Sequence, residues 1–182
     1  MPWLRKTQPA ESLAVSMSGV KLGDRLLVLG GSDPKLIASL ALKVGLTGRA
    51  CAIDVDPRRA EEASHAVERE GALVETFSTP YTALPFDPDS FDLVVTRDVL
   101  PSMTSEDRGR ALQEAWRVLR AGGRCLVIDT TGRGTFGALF GRQTTGEGLD
   151  VPRTLEAGRF VAVRTLAARE GLVFVEGVKR NA

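Results

Sequence analysis

The sequence predicts an α/β protein built on a doubly wound, mostly parallel sheet, and three observations support this prediction. A short apolar run at residues 26–29 ends in two glycines and is followed by an amphipathic helix pattern. Four further strand-like runs come next, separated by helical patterns or long connections, which is the order typical of parallel sheets. Two final strand-like runs flank Glu170 and Gly171, as expected for a hairpin. At 182 residues, the chain suits one domain.

The first unit is a strand, a glycine turn and a helix. Residues 26–29 are all apolar, which is typical of a strand buried on both faces. Gly30 and Gly31 permit a tight turn and close approach of the backbone to a ligand. Asp33 is the predicted N-cap and Pro34 the first helical residue, because a side-chain acceptor and a fixed φ are favourable there. Gly45 is the predicted end of this helix. Its apolar face has helical spacing and comprises Leu36, Ile37, Leu40, Ala41 and Val44.

The next elements follow the same order. Residues 10–18 are predicted to form a short helix ahead of the first strand, and residues 50–54 the second strand. Asp56 and Pro57 begin a helix that ends near Gly71, with Ala60, Ala63 and Val67 facing inward. Residues 72–77 are the predicted third strand, with Leu73 and Val74 at its centre. Residues 78–90 contain three prolines and are predicted to form an irregular connection with at most one helical turn.

Residues 91–96 are the predicted fourth strand, and a strong helix follows. Ser105 is its predicted N-cap, with acidic residues in the first turn. The residues predicted to face water are Arg108, Arg110, Glu114 and Arg117, and the apolar stripe comprises Leu112, Ala115, Trp116 and Leu119. Gly122 and Gly123 are predicted to end the helix, and residues 124–129 to form the fifth strand.

The last third of the chain admits two interpretations. Pro152 and the spacing of Leu155 and Leu166 are compatible with one helix over residues 152–170. Residues 160–163, however, are rich in strand formers. We therefore predict a short helix near residues 152–157 and then an antiparallel hairpin. The glycine-rich residues 130–150, which include three large apolar side chains, are predicted to form a lid.

We divide the chain into residues 1–19, an N-terminal arm with a short helix, and residues 20–182, a single domain. The net charge of +1 gives no reason to expect nucleic acid or an anionic membrane as a partner. No apolar run reaches the length of a membrane span, and no signal peptide core is evident, so a cytoplasmic location is expected.

The two cysteines are predicted to be buried, free and unrelated to metal binding. Cys51 and Cys125 belong to the predicted second and fifth strands, and two other strands lie between these in a doubly wound order. At about 4.8 Å per strand, the separation is roughly 14 Å, which exceeds the reach of a disulfide. No histidine or second cysteine lies close to either residue in sequence, so no metal site is expected. The only histidine, His65, is predicted to be a solvated surface residue.

Four sequence segments, in order, resemble one enzyme family. They are LLVLG at residues 26–30, AIDVDP at 52–57, LPFDPDSFDLVV at 84–95 and EAWRVLRAGGRCLVID at 114–129. With these segments the chain resembles class I S-adenosylmethionine-dependent methyltransferases, especially the small enzymes of quinone-biosynthesis type. The resemblance covers roughly residues 20–178. It implies a Rossmann-like fold of seven strands, S-adenosylmethionine as cofactor and methyl transfer as activity.

The chain also departs from the family's pattern in the cofactor motif. Val28 stands where family members usually carry an acid, and Ser32 and Pro34 stand where glycines follow Gly30. Pro80 replaces an acid that often contacts the adenine amine. Asp54 matches the acid that holds the ribose hydroxyls. The resemblance therefore implies weak binding of S-adenosylmethionine, with Asp54 as the main carboxylate contact.

The resemblance places the cofactor beyond the carboxyl ends of the strands. Gly30 and Ser32 are then expected near its amino-acid end, and Asp54 at the ribose. Val55 and Tyr81 are expected to flank the base, and Thr96, at the end of the fourth strand, completes the predicted cofactor site. Asp98 and Tyr81 are candidate general bases by location. We interpret Asp98 as a helix cap and Tyr81 as an aromatic wall, and we name no catalytic residue.

Three function classes follow. The first is a methyltransferase that uses S-adenosylmethionine and acts on a small-molecule acceptor. The second is a methyltransferase-like domain with weak or lost cofactor binding that serves as a partner or scaffold, and Val28, Ser32 and Pro80 favour it. The third is a nicotinamide-dependent enzyme, since Asp54 lies at a suitable distance from Gly30, although the glycine pattern is incomplete. The composition is compatible with a homo-oligomer.

Overall fold

The computed structural model describes residues 10–131 and 149–180, which form one seven-stranded sheet with helices on both faces. The strand order is β3-β2-β1-β4-β5-β7-β6. Strands β1 to β5 are parallel, and β7 lies antiparallel to both β5 and β6. The strands are β1 Arg25–Leu29, β2 Arg49–Asp54, β3 Glu75–Ser78, β4 Phe91–Arg97, β5 Leu119–Thr130, β6 Val161–Arg169 and β7 Leu172–Val178. The helices are α1 Ala10–Ser18, α2 Pro34–Val44, α3 Pro57–Arg69, α4 Ser105–Val118 and α5 Val151–Ala157, with a 3₁₀ turn at Leu100–Ser102.

The two faces of the sheet carry separate apolar layers because successive strand residues point to opposite sides. Leu26 and Val28 of β1 pack with α1, α2 and α3, whereas Leu27 and Leu29 pack with α4 and α5. Both layers are apolar at the centre, since residues 26–29 of β1, 93–95 of β4 and 125–128 of β5 are almost fully buried. The predicted doubly wound sheet is therefore confirmed.

Most predicted elements occur where the sequence placed them. Asp33 and Asp56 cap α2 and α3 as predicted, each accepting a backbone N–H from the first turn. The short helix near residues 152–157 and the hairpin that follows it are confirmed by α5, β6 and β7. Cys51 and Cys125 are free and buried, on strands separated by β1 and β4.

Three boundaries were predicted wrongly. Strand β3 begins only at Glu75, and the side chain of Leu73 is 73% exposed, because this edge strand pairs on one side alone. The N-cap of α4 is Thr104 rather than Ser105, since its hydroxyl accepts the N–H of Asp107. Helix α4 ends at Val118, before the glycine pair at 122–123, because β5 begins at Leu119, which pairs with Phe91 of β4.

Two α4 residues that were predicted to face water instead form hydrogen bonds to the proline-rich connection at residues 78–90. Glu114 accepts the backbone N–H of Leu84 at 2.8 Å, and its carboxylate also pairs with the guanidinium of Arg117. Arg117 donates to the backbone carbonyls of Leu84 and Phe86 at 3.1 and 2.7 Å. The pKa of Glu114 is lowered, mainly by the hydrogen bond from Arg117. A periodicity argument misses these contacts because long charged side chains reach beyond their own helix face.

The predicted arm at residues 1–9 and most of the predicted lid, residues 132–148, lie outside the described residues. Within the part that the structure does describe, no helix has the length and apolar character needed to cross a membrane.

A candidate cofactor crevice at the carboxyl end of the sheet

The strand order places a topological switch point between β1 and β4. From β1 the chain winds outward through β2 to β3, and then returns to β4 on the other side of β1. In open α/β sheets, ligands bind in the crevice outside the carboxyl ends of the strands at such a point. The residues that bound this crevice are the turn after β1, the ends of β2 and β4, and the N-terminus of α2.

The turn after β1 lies very close to the end of β4. Gly30 has a φ of +104°, a conformation that side chains disfavour. A Cβ atom at this position would lie 2.8 Å from both the carbonyl oxygen of Arg97 and Cγ2 of Val99. The predicted need for glycine here is therefore structural, because the backbone of the β4 end packs directly against the turn.

We expect Gly30→Ala to lower the free energy of unfolding by roughly 3 kcal/mol, because it combines backbone strain with overpacking against a backbone oxygen. Gly71→Ala is the matched control. Gly71 has a similar φ of +73°, but a Cβ there meets nothing within 4 Å. Urea denaturation of both variants measures the difference, and an equal loss in the two would contradict the packing argument.

The carboxylate of Asp54, at the end of β2, connects two backbone segments that bound the crevice. Its side chain is 2% exposed. One carboxylate oxygen accepts the N–H of Gly31 at 2.7 Å and the other accepts the N–H of Asp56 at 2.8 Å. Each oxygen of a carboxylate has two lone-pair sites, so both retain capacity to accept a further hydrogen bond. Asp54 thus holds the glycine turn and can still accept a further hydrogen bond.

Tyr81 and Val55, the two residues predicted to flank the base, differ in their exposure to solvent. Tyr81 is buried in the apolar layer below α4, and burial raises the pKa of its phenol, with a further contribution from the charge of Asp54. A phenol with a raised pKa is unsuited to act as a base at neutral pH. Val55 is 54% exposed and offers an open apolar surface.

The end of β4 carries an ion-pair cluster that the sequence did not reveal. The Nε of Arg97 lies 3.5 Å from Asp33 Oδ2, and its Nη1 lies 2.5 Å from Asp98 Oδ2. Asp98 also accepts the N–H of Thr130 at 2.5 Å. The interpretation of Asp98 as a helix cap is therefore wrong: the 3₁₀ turn intervenes before α4, and its carboxylate joins the ends of β4 and β5 instead.

The remaining departures from the family pattern have different environments. Val28 is 1% exposed and packs among apolar side chains beneath α2. Ser32 is exposed on the turn, and Pro80 is exposed beyond β3. Ser32 is therefore exposed to solvent at the turn, whereas a side chain at position 28 faces the core.

Buried polar atoms without hydrogen-bond partners cluster at the carboxyl ends of the strands. Among residues 10–131 and 149–180, five such side-chain atoms are found, and four of them belong to Thr79, Thr96 and Asp129. Thr79 directly follows β3, and Thr96 and Asp129 lie one residue before the ends of β4 and β5. Thr96 was predicted as a site residue, but Asp129 was not. A strand ending in an acid was the available signal, although a strand end is usually solvated.

Electrostatically, the crevice suits a cationic ligand. Asp33, Asp54 and Asp98 contribute three carboxylates next to the guanidinium of Arg97, and the more distant charge of Arg59 also reaches Tyr81. The N-terminus of α2, where an anion would otherwise bind, is already capped by the carboxylate of Asp33, which accepts the N–H of Leu36.

The fold and this crevice define a class: a doubly wound α/β domain with a crevice at the β1/β4 switch point. Comparison with known proteins gives the particular family. The model of the methyltransferase domain family matches residues 28–127, more than half of the chain. The chain belongs to this family.

Curated relatives share sequence over part of their length. The chain is 31% identical over 118 residues to the ubiquinone/menaquinone biosynthesis C-methyltransferase UbiE of Hydrogenovibrio crunogenus, covering 64% of this chain and 46% of that protein. It is 32% identical over 117 residues to the UbiE protein of Enterobacter, with 63% and 46% covered. The matched region is thus about half the length of these relatives.

Solved structures show the same fold at lower identity. A SAM dependent methyltransferase from Aquifex aeolicus superimposes with a TM-score of 0.70 at 18% identity, covering 93% of this chain and 89% of that one. The [4+2]-cyclase SpnF superimposes with a TM-score of 0.72 at 17% identity, covering 94% and 80%. The second neighbour is named for a different reaction, so the fold by itself does not specify the chemistry.

Proposed function

We propose that this chain binds S-adenosylmethionine in the β1/β4 crevice and transfers its methyl group to a small-molecule acceptor. Membership of the methyltransferase domain family and the likeness to proteins named C-methyltransferases support the proposal. The single observation that carries it is the buried carboxylate of Asp54, which holds the glycine turn after β1 and keeps acceptor capacity toward the crevice.

The residues of the crevice fit this cofactor. Asp54 is placed to accept hydrogen bonds from the ribose hydroxyls, and Val55 and Tyr81 to bound the base. Gly30 and Ser32 line the turn on the side of the amino-acid end, and the buried hydroxyl of Thr96, unpartnered among the described residues, is available to a ligand at the end of β4. When bound, the cofactor supplies a methyl group already activated on a sulfonium.

The charge of the crevice favours this cofactor over a nicotinamide dinucleotide. A sulfonium is cationic, and the carboxylate of Asp54, which no cation pairs within the described residues, stabilises positive charge. A dinucleotide would bring an anionic pyrophosphate to the N-terminus of α2, where Asp33 already occupies the cap position. The nicotinamide hypothesis is therefore disfavoured by electrostatics as well as by the incomplete glycine pattern.

The chain's own contribution to methyl transfer is positioning. A methyl group on a sulfonium needs no further activation, so catalysis requires an aligned acceptor and exclusion of water. The crevice ends of β1, β4 and β5 are held together by Gly30 against the β4 backbone and by Asp98 between Arg97 and Thr130. These contacts fix the wall against which an acceptor is placed.

Asp54→Ala is the direct test of the cofactor site. We expect it to weaken binding of S-adenosylmethionine and S-adenosylhomocysteine by at least about tenfold, because a charge-assisted hydrogen bond contributes roughly 1.5–3 kcal/mol. Titration calorimetry at millimolar ligand measures this. Asp56→Ala is the matched control, since it removes a carboxylate two residues away that caps α3 and, among the described residues, pairs only with Arg59, at 3.9 Å. His65→Ala, on the exposed face of α3, should change nothing.

The outcomes separate the hypotheses. Heat with both S-adenosyl compounds that is lost in Asp54→Ala and kept in Asp56→Ala supports the proposal. No heat with the wild-type chain would favour the partner or scaffold function. Normal binding by Asp54→Ala would show that the cofactor, if it binds, does so without this carboxylate.

A further inference from the structure

Asp129 is a buried acid that neither the fold nor the proposed cofactor contacts require. Its side chain is 4% exposed, and both carboxylate oxygens lack a hydrogen-bond partner among the described residues. Burying such a group without partners is costly, so proteins usually pair it. A fold that keeps an unpaired carboxyl here loses stability for it, and unpaired polar groups of this kind concentrate at functional sites.

On the sheet face beside the crevice, the strand neighbours of Asp129 are apolar, and within the described part of the chain charged groups approach it only from the end of β4 and from α4. Asp129 follows Val127 on the sheet face that packs with α4, and Val173 of β7 lies directly opposite it. Thr96, the other unpartnered group on this face, pairs in register with Val127. With strands about 4.8 Å apart and about 6.6 Å between alternate residues, Thr96 and Asp129 are roughly 8 Å apart along the diagonal.

This position is one strand beyond the switch point, away from Asp54. The β1/β4 crevice is assigned to the cofactor, and Asp129 on β5 is separated from β1 by β4. A group bound at Asp129 therefore lies next to the cofactor's crevice without overlapping the ribose contact on β2. That is where the second reactant of a two-substrate transfer must lie.

We propose that Asp129 recognises the methyl acceptor in a subsite at the carboxyl end of β5, by accepting a hydrogen bond from its hydroxyl or amine. This inference rests on the proposed function for the identity of its ligand. It assigns the acceptor to a chemical class: an uncharged, largely apolar molecule with an O–H or N–H donor. An anionic acceptor is excluded by Asp129 and the neighbouring Asp98.

The charge state of the subsite follows from its neighbours. Burial raises the pKa of Asp129 to about 7, and the charge of Asp98 raises it further, whereas Arg97, the nearby backbone N–H of Asp98 and Arg108 lower it. Asp98, Arg97 and Arg108 are the charged groups that face Asp129 from β4 and α4 within the described ranges. Above that pH the carboxylate is ionised and accepts the stronger, charge-assisted hydrogen bond.

Three small probes test the subsite by ligand-observed ¹⁹F NMR on protein saturated with S-adenosylhomocysteine. 4-Fluorophenol carries a donor, 4-fluoroanisole has nearly the same shape without one, and 4-fluorobenzoate is anionic. We expect 4-fluorophenol to bind the wild-type chain at pH 8 at least about tenfold more tightly than the other two. Its affinity should fall at least about tenfold between pH 8 and pH 5.5, while that of 4-fluoroanisole stays constant.

Asp129→Asn should abolish the pH dependence of 4-fluorophenol binding and weaken the preference for this probe, because the amide oxygen accepts only a neutral hydrogen bond. The matched control is Asp87→Asn, which changes an exposed acid in the proline-rich connection and should leave both intact. Absence of 4-fluorophenol binding to the wild-type chain, or an unchanged preference in Asp129→Asn, would overturn the inference.

The cofactor proposal is tested separately by calorimetry with S-adenosylhomocysteine alone. If that ligand binds but 4-fluorophenol does not depend on Asp129, only the acceptor subsite is wrong. If S-adenosylhomocysteine gives no heat while the chain without it shows Asp129-dependent binding of 4-fluorophenol, the subsite stands and the proposed cofactor is wrong. Asp129→Asn should bind S-adenosylhomocysteine as the wild type does, which also shows that the variant is folded.

Discussion

The free energy of unfolding of Asp129→Asn should increase relative to that of the wild type as the pH rises, by roughly 4 kcal/mol between pH 4 and pH 8. Burial raises the pKa of this carboxyl from 3.8 to about 7. The folded state then holds a proton that the unfolded state has released, so stability is lost as pH rises from about 4 to about 7 and is constant above. The asparagine side chain does not titrate and escapes this loss.

Urea denaturation of both proteins at pH 4.5 and pH 8 measures the effect. The difference between wild type and Asp129→Asn isolates this one group, because every other titrating residue is common to both. Asp87→Asn serves as the control, since it replaces an exposed acid in the proline-rich connection. A pH-independent difference for Asp129→Asn would show that the carboxyl is ionised in the folded protein at low pH, contrary to its unpaired burial.

Val28→Asp should destabilise the fold by at least about 4 kcal/mol at pH 8, although it restores an acid that the family usually carries. Val28 is 1% exposed, and its partners in register are Ala52 and Val95, which face the same apolar layer. An unpaired carboxylate there has lost its water and gained no compensating donor.

The loss should be smaller near pH 4, where the new carboxyl is neutral in the folded state. Thermal unfolding should show a fall of roughly 8–16 °C in Tm at pH 8. Leu73→Asp is the matched control, since Leu73 is 73% exposed and the same change there should stay within about 0.5 kcal/mol. Tighter binding of S-adenosylmethionine by a stable Val28→Asp protein would instead show that position 28 reaches the cofactor.

The site was only partly predictable, and Asp54 and Asp98 illustrate the limit. Asp54 ends the strand that comes next in the chain after the glycine turn, and this order predicts a ligand contact. In the structure its carboxylate lies buried against that turn. Asp98 also follows a strand, but it joins β4 to β5 through Arg97 and Thr130 rather than capping a helix. Both acids follow apolar strands in the sequence, and only the strand neighbours distinguish them.

The sequence by itself determined the order and type of the elements, because apolar periodicity and capping residues act locally. The run at residues 26–29, the caps Asp33 and Asp56 and the strand formers flanking Glu170 required no knowledge of distant residues. Contacts between elements were decided only by the tertiary structure. The side chains of Glu114 and Arg117 contact the proline-rich connection rather than solvent, and β5 begins at Leu119 because this residue pairs with Phe91. Asp129 lost its water because Val173 of a strand more than forty residues later lies opposite it, and no local pattern reports which distant side chain will cover a strand end.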